Sequence, residues 1–297
     1  MQKYCAHTPV LLKEAIDMIS PREGGIYVDC TFGAGGHSRA LLEAAKCKVY
    51  AIDKDPDTKN FFIEMQKEFG ERIDFLHGNF SLMQPMLAEK GVNSVNGIIL
   101  DLGVSSMQLE QAERGFSFMH TGTLDMRMSQ EGLDAKKFIN QANEKKLADI
   151  IYQYGDEPRS RRVAKAITQA RGKKAIETTT ELAEIIRMAI PRGKKKIDTA
   201  TKTFQAIRIW LNDELAELKA GLDAAANLLA PEGRLVVIAF HSLEDKIVKD
   251  FVRLLCKKEP KEFMALNKKI IRPSMTEIKS NPRARSARMR ATQKLDN

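Results

Sequence analysis

A chain of 297 residues, 43% apolar and 29% charged, has a globular composition and enough apolar material for one or two cores. It has no run of 18 apolar residues and no leader pattern, and its four scattered cysteines and five separated histidines give neither a disulfide frame nor a metal site. The net charge of +9 is unevenly placed: residues 158–208 carry +10 and residues 267–297 carry +7, so the rest is acidic at −8. Two basic segments on an acidic body suit a polyanion, although two solvated faces would look the same.

In chain order, residues 7–19 read as a helix with Pro9 in its first turn and Val10, Leu11, Ala15, Ile16 and Ile19 on one face. Ile26-Tyr27-Val28-Asp29 is a short β-branched run, the mark of a buried strand. Glycines 33, 35 and 36 then allow a sharp turn and a close approach to a ligand, and residues 39–45 read as a helix whose first N–H groups face the same ligand. A second strand, 48–53, ends in Asp53 about 20 residues past the turn, where a carboxylate can hold ribose hydroxyls. The pattern G-x-G-x-x-G fails because position 38 is Ser, and no G-x-x-x-x-G-K is present. S-adenosylmethionine, a nucleoside without phosphate, fits this unit better than a dinucleotide; an NAD-dependent oxidoreductase is the alternative from the unit alone.

Phe61, Phe62, Met65 and Phe69 form a core stripe on the next helix. A third strand, 73–77, leads into Gly78-Asn79-Phe80, which puts Phe80 in reach of an adenine; His77 reads as a strand-end residue. A fourth strand, 97–101, ends in Asp101, which either faces the methyl-donor side of the pocket or caps the following turn. Residues 109–133 are loop-like, and residues 134 to about 193 are helical. Within them Gly155 and Gly172 read as helix stops, Thr178 and Glu181 as a capping box, and Pro191 as the end of the run. Three amphipathic helices build an inserted helical domain. A long helix through Phe204, Ile207, Leu211, Leu215, Leu218 and Leu222 is closed by Pro231, and a fifth strand, 234–240, returns the chain to the sheet. Ser242 and Asp245 read as an S-x-x-D cap, and strands around 270–271 and 287–289 as an antiparallel edge pair.

Eight ordered motifs carry a resemblance across nearly the whole chain. They are His7-Thr8-Pro9-Val10-Leu11-Leu12, Thr31-Phe32-Gly33-Ala34-Gly35-Gly36-His37-Ser38, Asp101-Leu102-Gly103-Val104-Ser105-Ser106 and Glu113-Arg114-Gly115-Phe116-Ser117-Phe118, followed by Leu124-Asp125-Met126-Arg127-Met128, Thr203-Phe204-Gln205-Ala206, Phe240-His241-Ser242-Leu243-Glu244-Asp245 and Asn281-Pro282-Arg283-Ala284-Arg285-Ser286. The sequence resembles the RsmH (MraW) family of 16S rRNA (cytosine-N4)-methyltransferases. The resemblance implies an α/β class I S-adenosylmethionine-dependent methyltransferase, a Rossmann-like doubly wound sheet with an inserted all-helical domain. The expected division is 1–108 and 206–297 for the methyltransferase domain and 109–205 for the insert. The resemblance also implies S-adenosylmethionine contacts at Gly35, Gly36, His37, Asp53, Phe80, Asp101 and Gln108, no metal, and a cytidine in the decoding region of the small ribosomal subunit as target. Met107, Thr123 and Ser129 depart from the family pattern within the 107–129 loop.

Methyl transfer to a cytosine amine needs in-line alignment and an acceptor for the amine hydrogen. The Asp/Asn-Pro-Pro-aromatic motif of many amino-methyltransferases is absent after Asp101. The acceptor is then a backbone carbonyl of 102–105 or a side chain from elsewhere, with His241 and Ser242 as candidates; each has a plain capping or strand-end reading beside it. Arg159, Arg161, Arg162, Lys194, Lys195, Lys196, Arg283, Arg285, Arg288 and Arg290 are the expected phosphate contacts. Phe116 and Phe118 either offer a face to a flipped base or anchor a loop. The protein is expected in the cytoplasm, on 16S rRNA or the small subunit and not on a membrane; the oligomeric state is left open, a homodimer being one option. A non-enzymatic RNA-binding assembly factor is the remaining alternative.

Overall fold

The computed structural model describes residues 9–191 and 198–296. Lys194, Lys195, Lys196 and the first two residues of the 7–12 motif lie outside them. The chain divides into two compact units, residues 1–103 with 215–297 and residues 104–214.

The first unit opens with α1 (Leu12–Ile19) and then alternates through β1 (Ile26–Asp29), α2 (Gly36–Ala44), β2 (Lys48–Asp53), α3 (Lys59–Phe69), β3 (Ile73–His77), α4 (Met83–Ala88) and β4 (Val95–Asp101). The second unit holds α5 (Ser106–Glu110), α6 (Ala135–Gln141), α7 (Glu144–Gly155), α8 (Ser160–Arg171), α9 (Thr179–Ala189) and α10 (Ala200–Leu211). The chain then returns through α11 (Glu214–Leu228), β5 (Leu229–Ala239), α12 (Ser242–Leu255), β6 (Phe263–Ala265), α13 (Met275–Ser280) and β7 (Arg288–Lys294).

The sheet order is β3-β2-β1-β4-β5-β7-β6. The first five strands are mutually parallel, and β7 runs antiparallel to both β5 and β6. Helices cover both faces, so the central strands are apolar on both sides instead of alternating with polar residues. In β4 and β5, Ile98, Leu100, Leu235, Val237 and Ala239 point into one core, while Ile99, Val236 and Ile238 point into the other. The helical unit has a separate core through Phe138, Leu147, Ile151, Val163, Ile167, Leu182, Ile186, Phe204 and Ile207.

Several local expectations are corrected. Pro9 lies ahead of α1, because Leu11 takes a left-handed conformation and the helix starts at Leu12. Gly155 does not stop its helix; Asp156 takes the left-handed position. Gly155 is needed for packing instead, since a Cβ there would overlap the Lys202 carbonyl of α10. The long helix is two, broken where Asp213 turns left-handed and the Asn212 amide donates to the Met126 carbonyl at 2.8 Å. The helical unit therefore keeps α10 and ends at 214, not 205, and it starts at 104, not 109. Pro231-Glu232-Gly233 lies within β5, at an irregularity between the pairs Val95–Leu229 and Gly97–Arg234. At the sheet edge β7 pairs with Phe263–Ala265, while Ile271 contributes a single bridge. The Thr178–Glu181 capping box is present as read.

Gly155→Ala is expected to lower the stability of the helical unit by about 1–2 kcal/mol. Overpacking of α7 on α10 outweighs the roughly 1 kcal/mol that alanine gains in helix propensity. A urea titration showing no loss would remove this account of Gly155.

Candidate active site

Three strands end in acids along one edge of the sheet. Asp29 lies opposite Ala51 of β2 and Ile99 of β4, so Asp53 and Asp101 each stand two residues further along. The strand order reverses between β1 and β4, and a crevice opens beyond the carboxyl ends at such a switch point.

Asp29 is fully buried and locks the glycine turn. It accepts from the Ser38 hydroxyl of α2 at 2.7 Å and from the Thr31 N–H at 3.2 Å. Thr31 in turn accepts the Asp101 N–H at 2.7 Å, which ties the turn to β4. Sequence reasoning missed Asp29; its signal was an acid immediately ahead of the glycine turn. Gly35 has φ +81, and a Cβ on it would overlap Met65; a Cβ on Gly36 would overlap Pro9. The backbone here is therefore as close to its neighbours as glycine alone permits.

Asp53 accepts from the Gly33 N–H at 2.8 Å and the Asp55 N–H at 2.9 Å. Burial nevertheless pushes its carboxyl from the ordinary 3.8 up to about 6, with the charges of Asp55 and Asp29 adding to the effect. Asp101 is still more perturbed. Burial, then Asp29 and Glu244, raise its carboxyl well above the usual range. Among the described residues its Oδ1 is shut from solvent and has no hydrogen-bond partner, and its Oδ2 lies 3.8 Å from His37 Nδ1, too far for a hydrogen bond. His37 is buried, which lowers its pKa against the pull of Asp29 and the Val10 carbonyl, so the ring is neutral at pH 7; among the described residues its Nε2 is also without a partner. The arrangement is a set of buried acceptors with no cation among the charges acting on Asp53 or Asp101. A ligand bearing hydroxyls at one end and positive charge at the other satisfies it, and S-adenosylmethionine is such a ligand.

Phe80 is half-buried, and Gly221 of α11 lies so close that a Cβ would overlap the ring edge. The Ser81 N–H donates to Glu217 of α11 at 2.8 Å, which fixes the turn carrying Phe80. Gln108 belongs to the second unit, where it is buried and closes a capping box with Ser105 at the start of α5.

The capping assignment at α12 needs correcting. The cap of α12 is His241, not Ser242: its Nδ1 accepts the Glu244 N–H at 3.3 Å, and the Glu244 carboxylate accepts the N–H groups of Phe240 and His241. A neutral imidazole with an accepting Nδ1 carries its proton on Nε2, so His241 offers a donor, not the acceptor a cytosine amine requires. Ser242 sits in the first turn as an ordinary helical residue. Phe116 is buried in the helical core and Phe118 packs edge-on to Phe204, with ring centroids 4.8 Å apart, so both anchor their loop. Arg114 supports the same loop by donating to the carbonyls of Arg127 and Met128.

Among the expected phosphate contacts, Arg161, Arg162, Arg283 and Arg285 are exposed. Arg159 pairs with the buried Glu157. Arg288 and Arg290 pair with Asp245 at 3.1 and 2.8 Å and, against partial burial, hold its carboxyl below the ordinary range. They fasten α12 to β7 and are poor candidates for RNA.

The sequence pattern of the MraW methylase family matches residues 4–295. The chain belongs to the MraW methylase family. Ribosomal RNA small subunit methyltransferase H of Wolbachia sp. subsp. Drosophila simulans (strain wRi) is 51% identical over 290 residues, 97% of this chain and 99% of that protein. Its namesake in Ehrlichia ruminantium (strain Welgevonden) is 53% identical over 299 residues, with coverages of 97% and 99%. Among solved structures, a putative rRNA-methylase from Clostridium thermocellum aligns over 97% of this chain and 98% of its own at 11% identity, with a TM-score of 0.48. The MraW methylase is an S-adenosylmethionine-dependent methyltransferase, as its motifs imply. Its sheet is the Rossmann-like class I kind, with the helical unit inserted between β4 and β5. Among the described residues no helix is long and apolar enough to cross a membrane.

Asp101→Asn neutralises a half-buried acid whose Oδ1 has no hydrogen-bond partner among the described residues. The variant is expected to unfold no earlier than the parent when the donor is absent, yet to bind S-adenosylmethionine at least about tenfold more weakly, the loss of one charge-assisted contact. Equal donor affinity in calorimetry would show that Asp101 has no part in binding. The pH response has a defined sign. Asp53 holds its proton more tightly when folded, so the donor-free protein should lose stability as pH rises from about 4 to about 6. Thermal unfolding across that window checks this, and stability rising throughout would count against it.

Proposed function

We propose that this methyltransferase transfers a methyl group from S-adenosylmethionine to N4 of a cytidine in the decoding region of 16S rRNA, in the cytoplasm. The observation that carries the reading is the identity of 51–53%, end to end, with relatives named for methylation of small-subunit ribosomal RNA. The nucleotide and its position follow from the family resemblance of the motifs. The nicotinamide alternative falls away with the family.

The donor supplies a methyl carbon on a sulfonium leaving group. Asp53 accepts from its ribose hydroxyls with the lone pairs left by Gly33 and Asp55. Gly35 and Gly36 let the backbone approach, and Phe80 covers the adenine. Asp101 and His37 meet the charged methionine end, where a cation opposes the burial that raises the Asp101 carboxyl. Gln108 is the contact expected from the helical unit.

The target base must leave its stack to reach this crevice. As the nitrogen–carbon bond forms and the carbon–sulfur bond breaks, the amine nitrogen becomes positive and sheds a proton. A backbone carbonyl in 102–105 accepts a hydrogen bond from the amine and so orients it, and the released proton passes to solvent; the protonated Nε2 of His241 cannot accept such a bond. Gly103, at φ +100, turns the backbone at this point. The remaining task is alignment and exclusion of water, which together account for many kcal/mol of barrier.

Nucleoside mass spectrometry of 16S rRNA from a strain lacking the protein is expected to show N4-methylated cytidine lost or reduced; an unchanged level would reject the target. Asn is as good a helix cap as any residue. His241→Asn is therefore expected to keep the single-turnover rate within about twofold. A drop of about a hundredfold, the scale of general acid–base catalysis, would restore His241 as a catalytic group.

A further inference from the structure

The helical unit carries a groove that the site above does not use. It lies between α8 and α9 as an open groove of about 400 Å³, within the ~300–1,000 Å³ of small-ligand sites. On the α8 side Arg162, Lys165 and Gln169 share one helical face, at spacings of three and four residues, and Lys173 lines the groove from the turn that follows the helix. The floor is apolar, from Ala166 and Ala170 on α8 to Ile185 and Ala189 on α9. Met188 stands on the α9 lip with 78% of its surface exposed. No carboxylate lines the groove. Arg162, Lys165 and Lys173 form no ion pair among the described residues, whereas Arg159, Lys174, Arg187 and Arg208 nearby in sequence are engaged by Glu157, Glu181, Asp198 and Glu214.

We propose that this groove holds an unpaired nucleotide of the substrate RNA, with its base on the apolar floor against Met188 and the flanking phosphates on Arg162, Lys165 and Lys173. The proposal rests on the ribosomal RNA reading above and extends it to a docking site remote in sequence from every donor-binding residue. A base has an apolar face and a polar edge, which match the floor and the Gln169 amide. Methionine sulfur packs favourably on aromatic rings. Three uncompensated cations around an apolar floor reproduce the combination by which single strands are held, a stacking surface beside a positive track. An apolar peptide would leave the three cations unpaired.

The test uses the full-length protein and intact small subunits from a strain lacking it. Lys165 and Lys173 are exposed, so the double variant K165E/K173E leaves the core alone. Its affinity for the subunits is expected to fall at least tenfold, and the slope of log Kd against log salt to drop by about 1.4, or about 0.7 per lost single-strand phosphate. Its affinity for S-adenosylmethionine should be unchanged, which doubles as the control for folding. In a second arm, a photoreactive benzoylphenylalanine replaces Met188 and should crosslink to 16S rRNA at an unpaired nucleotide. Unchanged affinity and slope in the double variant would overturn the proposal, as would a crosslink to a ribosomal protein or none at all. These outcomes are separable from the choice of target: a crosslink to rRNA alongside persistent N4-methylcytidine in the deletion strain would reject the target and leave the groove standing.

Discussion

The first unit is organised around a cluster of acids at one edge of its sheet, with no cation among the charges acting on Asp53 or Asp101. Asp29, Asp53 and Asp101 stand at the ends of adjacent parallel strands, and Glu244 joins them from the start of α12. Asp29 is satisfied by Ser38 and Thr31, and Glu244 by the backbone it caps. Their charges remain, however, and they add to the burial that raises the Asp101 carboxyl. The site is thus kept under electrostatic tension by its own supports. Such a crevice takes up a sulfonium and an ammonium group more readily than a neutral nucleoside, which gives one physical basis for distinguishing the charged donor from its uncharged-sulfur product.

Much of this was legible in the chain. The β-branched runs, the glycine turn and the terminal acids fixed β1, β2, β4 and the donor crevice, because a strand buried on both faces must be apolar throughout and so stands out. The order of helices in the insert was also readable from their i, i+3, i+4 faces. What was not readable depended on partners distant in sequence. Asp29 looks like any strand-end acid until Ser38 folds back upon it. Gly155 looks like a stop until Lys202 arrives from another helix. Asn212 breaks an otherwise continuous apolar stripe because its amide serves residues 126 and 128, more than eighty positions earlier.

The α12 cap shows how a shift of one residue changes a functional assignment. Ser-x-x-Asp and His-x-x-Glu overlap in His241-Ser242-Leu243-Glu244-Asp245, and sequence favours serine as the commoner cap. The structure uses the other frame because Glu244 is needed inside, where it accepts two backbone N–H groups at the end of β5. Asp245 is thereby released to face β7 and meet Arg288 and Arg290. Three residues that read as catalytic or RNA-binding in the sequence, His241, Arg288 and Arg290, are parts of one joint between a helix and a strand.

That joint closes on the last strand of the chain, and β7 is an internal member of the sheet between β5 and β6. The helical unit is a single contiguous segment with its own core, whereas the sheet unit is split in two and its seventh strand ends three residues from the C-terminus. During synthesis the insert emerges whole while the sheet still lacks β5 and β7. Its parallel strands then stand with an open edge beside β4 until β5 and β7 have been synthesised. The sheet edge where β4 and β5 end side by side is therefore among the last features of this unit to form.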